Sequence, residues 1–150
     1  MAEQQTNTAT PEQLYRAVLE CWNARNAAGF AGLFDSEGHS IGFDGSEMHR
    51  PEEIEFALGE IFTDHETAAY VAKTRDVRLL TSELALLRAV VGMVPAGQGD
   101  LDPDKNAVQT MIAKRHPEGW RIALLQNTPA QYHGRPEAAE ALTAELRNLL

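Results

Sequence analysis

Asp100, Asp102 and Asp104 alternate along the chain as the first ligands of a calcium loop do. Such a loop needs a glycine after the third acid and a bidentate glutamate at its twelfth position. Those positions hold Lys105 and Met111, so the run reads as a solvated acidic loop and no metal is predicted. The chain has no HExxH pair and no Cys/His cluster, so zinc is not expected either. Gly97-Gln98-Gly99 is the nearest approach to a phosphate-cradling loop. It runs into the acids rather than into a helix start, and those acids would repel a phosphate. Neither a nicotinamide nor any other cofactor is predicted. Cys21 falls among apolar residues at helical spacing and reads as a buried thiol rather than a nucleophile.

The elements that must position any chemistry follow from period and punctuation. Thr10-Pro11-Glu12 is a helix start, with Leu14, Val18, Cys21 and Trp22 on one stripe. Asn26 caps a short second helix expected to bury Phe30, Leu33 and Phe34. Residues Gly38 to Asp44 read as a strand closed by the Asp44-Gly45 turn. Pro51-Glu52-Glu53 opens a third helix with Ile54, Leu58, Ile61 and Phe62 as its stripe. The period then changes. Residues 70–80, 84–94, 106–115 and 120–127 are β-rich, and short links make them an antiparallel meander. A last helix starts at Pro136, with Leu142, Leu146, Leu149 and Leu150 on one face. The fold class is α+β, with residues 1–10 as a disordered tail and 11–150 as a single domain.

Composition narrows the partners. A formal net charge of −9 without a basic run argues against nucleic acid and against anionic membranes. Residues 1–12 lack the basic start and apolar run of a signal peptide, and no apolar stretch is long enough to span a bilayer. The expected location is the cytoplasm. Val91, Met93 and Leu125 leave the strands little polar alternation, so both sheet faces are expected to be partly apolar. A homodimer through the sheet face is the predicted assembly.

This order of elements resembles the nuclear-transport-factor-two-like superfamily, which includes ketosteroid isomerases and SnoaL-type cyclases. The residues that carry the likeness include Cys21-Trp22-Asn23-Ala24-Arg25-Asn26 through Gly32-Leu33-Phe34, then Phe62-Thr63-Asp64-His65 with Tyr70-Val71. Asn106 to Thr110, Gly119 to Ile122 and the run Gln126 to Glu137 are similar to the SgcJ/EcaC family, whose members often lie in secondary-metabolite gene clusters. The resemblance implies a cone-shaped, cystatin-like α+β roll, with a curved antiparallel sheet wrapped around the N-terminal helices and a pocket at its open end. Carried onto this chain, the isomerase donor tyrosine of the first helix falls on Val18. The base falls at or near Gly42, with Asp44 two residues away, and the protonated acid falls near Met111. The SnoaL-type acid falls at or beside Gln126. The catalytic candidates that remain are Asp44 and His39.

The expected pocket is lined by Trp22, Phe34, His39, Phe43, Gln109, Trp120, Gln126 and Asn127. Its amides could orient a ligand, or they could satisfy the strand end before Pro129. The expected function is the binding of a small apolar, polyketide-like molecule in secondary metabolism. The alternatives are a cofactor-independent cyclase, isomerase or hydratase using Asp44 or His39, and an association module.

Overall fold

Thr10 forms a capping box with Gln13 and Pro11 holds the first helical position, so α1 runs Pro11–Asn23. The computed structural model describes residues 7–150. Six residues of the expected tail lie outside the described residues. Thr8, expected in that tail, is buried, and its carbonyl accepts the Trp120 N–H at 2.8 Å. Asn26 caps α2 (Ala27–Ala31) through a bond from the Gly29 N–H at 2.8 Å. Phe34, expected in that helix, instead begins β1 (Phe34–Ile41), because α2 already ends at Gly32. Asp44 is correspondingly a turn residue and not part of the strand.

The chain continues through β2 (Glu47–His49), α3 (Pro51–Asp64), β3 (Ala69–Thr81), β4 (Leu84–Val94), β5 (Ala107–His116), β6 (Gly119–Pro129) and α4 (Pro136–Arg147). One open sheet of six strands has the order β2-β1-β6-β5-β4-β3. The last four strands form the expected antiparallel meander. The sheet is mixed rather than wholly antiparallel, because β1 lies parallel to β6. Residues far apart in sequence make that pairing, so strand periodicity carries no signal for it. Its register shifts between Phe34 and His39. A Cβ at Gly38 would stand 2.6 Å from the Ile122 carbonyl, so only glycine allows this approach.

Register fixes which side chains share a face. Met48, Ser40, Leu125, Met111, Leu87 and Val77 are successive cross-strand partners and make one row. This row faces α1, α2 and α3, and the main core lies between, with Leu14, Ile54, Leu58 and Met111 almost wholly buried. Val91, Met93 and Leu125 therefore point toward the helices and not toward a second copy. The outward row is Arg78, Leu86, Ile112, Leu124, His39 and His49.

Part of the outward face is covered by α4. Leu142 and Leu146 pack with Val90 and Leu101, and Thr143 Oγ1 accepts a bond from Asn106 Nδ2 at 2.9 Å. The helix stops at Arg147, so Leu149 and Leu150 do not extend its buried stripe and are exposed. Ion pairs hold the flanks of α4. Arg75 grips Glu145 with two bonds at 2.5 and 2.7 Å, Lys73 adds a contact at 3.3 Å, and Arg147 clasps Asp100 at 3.0 Å. The Arg75 hydrogen bonds, with help from Lys73, hold the Glu145 carboxyl at about 2, well below its ordinary 4.5. A depressed carboxylate stabilises the fold above its unfolded pKa and loses that contribution as pH falls through its folded one. We expect the thermal midpoints of the protein and of Glu145→Gln to differ most above about pH 5 and to approach each other as pH falls through about 2. Melting curves across that range check this, and a difference as large at pH 2 as at pH 6 would contradict it.

Candidate functional site

The helix-facing side of the sheet does not pack solidly everywhere. Between α3 and the open end of the sheet lies a cavity of about 450 Å³. Small-molecule pockets span roughly 300–1,000 Å³. Its walls come from each layer: Val18 and Trp22 of α1, Phe30 of α2, Leu58 and Ile61 of α3, and Met48, Met93 and Leu125 of the sheet. Ile61, expected as a core residue, is 37% exposed because its side of α3 borders this opening. Trp22 is held at the wall by its indole N–H, which donates to the Ala68 carbonyl at 2.9 Å. Its ring packs against Phe62 and Tyr70 at centroid distances of 5.2 and 5.3 Å. Arg25, in the left-handed region at φ 58°, ties the α1 end to α3 by donating to the carbonyls of Phe62 and His65.

The mouth is polar. Gly42, Phe43, Asp44 and Ser46 form the turn between β1 and β2, with Gly45 at φ 90°. The Asp44 carboxylate is spent on this turn, accepting the Ser46 N–H at 2.9 Å. That hydrogen bond holds its pKa below the usual carboxylate value, which makes it a weaker base. Beyond Phe43 and Met93 opens a second hollow of about 400 Å³ with Glu66, Asp102 and Lys105 on its walls. The Lys105 ammonium lies 5.4 Å from the Phe43 ring centroid.

The inner end of the cavity has one polar feature, a chain of side chains running from the core to the wall. Tyr15, 2% exposed on α1, donates its hydroxyl to Gln109 Oε1. Gln109, also 2% exposed, donates from Nε2 to Asn127 Oδ1 at 2.9 Å, as its cross-strand partner. Asn127 and Tyr70 both line the cavity. Burial pushes the Tyr70 phenol above its ordinary pKa, partly offset by the neighbouring Asn127 amide, and burial raises Tyr15 as well. Both are therefore neutral at pH 7. Asn23 fixes Tyr70 in place: its Oδ1 accepts the Tyr70 N–H at 2.8 Å and its Nδ2 donates to the Tyr70 carbonyl at 3.1 Å.

Trp22, Phe43, Asp44, Gln109 and Asn127 thus come together on the cavity lining. His39, Gln126, Phe34 and Trp120 do not. Adjacent strand residues face opposite ways, so Ser40 and Asn127 facing inward put His39 and Gln126 on the outer face. There His39 stacks on His49 at 3.9 Å. Phe34 is 4% exposed in the core against Phe30, and Trp120 is buried beneath Arg115 and beside Thr8. Sequence reasoning missed Tyr15 and Tyr70. Tyr15 sits three residues before Val18 on the same apolar stripe, and Tyr70 shares the parity of Ala72 and Thr74, the inward residues of β3 before its register shift. The acidic loop is engaged within the chain: Asp100 pairs with Arg147, and Asp102 Oδ1 accepts the Asp104 N–H at 3.0 Å.

No protein-family model matches the chain, and no curated protein matches it by sequence. Solved structures do. A Nostoc punctiforme domain with a cystatin-like fold superposes with a TM-score of 0.74 at 23% identity, over 87% of this chain and 82% of that one. A Shewanella oneidensis NTF-2-like protein gives 0.64 at 15% identity, over 79% and 95%. The fold is the cystatin-like, NTF2-like one. A ketosteroid isomerase-like protein from Erwinia carotovora gives 0.62 at 13% identity, over 80% and 93%. Among the described residues, no helix of this NTF2-like fold is long and apolar enough to cross a membrane.

Proposed function

We propose that the protein binds a small apolar molecule in the cavity between α3 and the sheet. The observation that carries this reading is the cavity itself: about 450 Å³, walled by aromatic, aliphatic and thioether groups, with neutral phenol and amide groups at its inner end. Apolar burial there would supply the affinity, at roughly 25 cal/mol per Å². We place the chain with the SgcJ/EcaC family on the motifs given above, as a cytoplasmic accessory protein of secondary metabolism that holds a polyketide-like intermediate or product. A cofactor-independent isomerase or hydratase is the second reading, favoured by the place of Asp44 on the lining. The commitment of Asp44 to its turn weighs against it.

Two copies are proposed to meet through the outward row of Leu86, Ile112 and Leu124, which α4 leaves half-exposed. Light scattering at tens of micromolar protein is expected to give twice the 16.5 kDa chain mass, and 16.5 kDa itself would overturn the dimer.

The test of binding is a cavity-filling change. Ala57 lies on α3 facing the cavity and is half-buried, so a larger side chain there enters the cavity without displacing core residues. The neutral naphthalene dye prodan is expected to bind with a blue-shifted emission. Ala57→Trp is expected to weaken it by at least about tenfold while leaving the melting temperature within a few degrees. Equal affinity in the two proteins would show that the dye, and the function, lie elsewhere.

A further inference from the structure

The outer hollow of about 400 Å³ and the inner cavity share two wall residues, Phe43 and Met93. The rest of the outer hollow's apolar wall is Ala68, Pro95 and Ala96. The stretch after β4 that forms its far side is anchored. The Asp102 N–H donates to the Met93 carbonyl at 2.8 Å, Leu101 is buried in one cluster with Leu142 and Leu146, and Arg147 holds Asp100 at 3.0 Å. Asp102 also caps the short turn Pro103–Lys105 that carries the Lys105 ammonium. The partition between the two hollows is different in kind. Met93 is half-buried, and a methionine side chain is flexible and fills irregular space. Phe43 stands half-buried on the β1–β2 turn, and its ring meets the Lys105 ammonium at 5.4 Å. Cation–π contacts of this exposed kind are weak. An anchored outer wall behind two yielding side chains makes a chamber that a guest can extend into from the inner cavity.

We propose that the two hollows hold one guest: a ring system in the inner cavity, carrying an unbranched alkyl or acyl chain that passes between Phe43 and Met93 into the outer one. The inner walls include the broad faces of Trp22 and Phe30, which suit a ring. The outer walls offer the small groups Ala68, Pro95 and Ala96, which suit a chain. Glu66 and Lys105 are exposed on the far side, so the end of the chain meets charged groups and water rather than a closed floor. A compact ring system without a chain fills only the inner volume. Phe43 and Met93 thereby set the specificity, because a chain enters the outer hollow only by displacing them.

This inference rests on the binding function proposed above, and a pair of dyes separates the two. Prodan carries a propionyl group, and its hexanoyl homologue adds methylenes to the same naphthalene. Each methylene taken out of water raises affinity by about three- to fourfold. Fluorescence titration is expected to find the homologue at least about tenfold tighter than prodan. Ala96→Trp, at an exposed turn position, fills the outer hollow. It is expected to remove most of that gain and to leave prodan unchanged. Ala57→Trp, in the inner cavity, is expected to weaken both dyes alike, because both place the same ring there. If prodan binds and the homologue is no tighter, or if the gain survives Ala96→Trp, the chain assignment is wrong and the inner cavity stands as the site. A homologue indifferent to Ala57→Trp binds elsewhere and also overturns the assignment. If prodan does not bind the unaltered protein, the binding function fails, and the assignment fails with it.

Discussion

The hydrogen bond from Tyr15 to Gln109 joins α1 to the middle of the sheet inside a core that water does not reach. A buried amide without partners costs roughly 1–3 kcal/mol, so the Gln109 side chain constrains everything around it. Its oxygen requires the α1 hydroxyl and its nitrogen requires Asn127 across the β5–β6 pair. Those demands fix the distance between helix and sheet at this level. They also hold the Asn127 side chain at the cavity wall.

The cavity then follows from where packing stops. At the narrow end of the cone Leu14, Leu87, Met111 and Ile122 fill the space between helices and sheet, and each is almost fully buried. Toward the open end the α3 side chains that face the sheet are Ala57 and Ile61, and the facing strand positions are Ser40 and Met93. Those groups leave a volume unfilled. Trp22 cannot swing in to fill it, because its N–H is held by Ala68 and its ring is enclosed by Phe62 and Tyr70. Arg25 reinforces this by tying the α1–α2 corner to the end of α3.

Much of the architecture was legible because it depends on local chemistry. Thr10 and Pro11, Asn26, and Pro51 mark helix starts through groups within one turn of them. The four meander strands follow from β-rich runs with short links. What was not legible depends on distant partners. The parallel pairing of β1 with β6 joins residues 85 to 88 positions apart, and β2 is three residues long, too short to show a period. Choosing both Gln126 and Asn127 for the pocket overlooked the alternation of a strand, which allows only one of two neighbours to face inward. The inward partner of Asn127 is Gln109, and that was readable. Tyr15 and Tyr70 were missed because a tyrosine within an apolar stripe looks like core until its hydroxyl partner is known. The covering of the outer face by α4 likewise depends on Val90 and Gly92, which present no surface signal in the sequence.

The proposed guest sits between α3 and the sheet, against the Asn127 end of the polar chain. Methionine methyl resonances report on it directly. Met48 and Met93 line the cavity, whereas Met111 is buried in the filled part of the core and does not. With methyl-labelled methionine and increasing prodan, the Met48 and Met93 signals are expected to move together to saturation while Met111 stays in place. Saturable binding that leaves Met48 and Met93 unmoved would contradict the account.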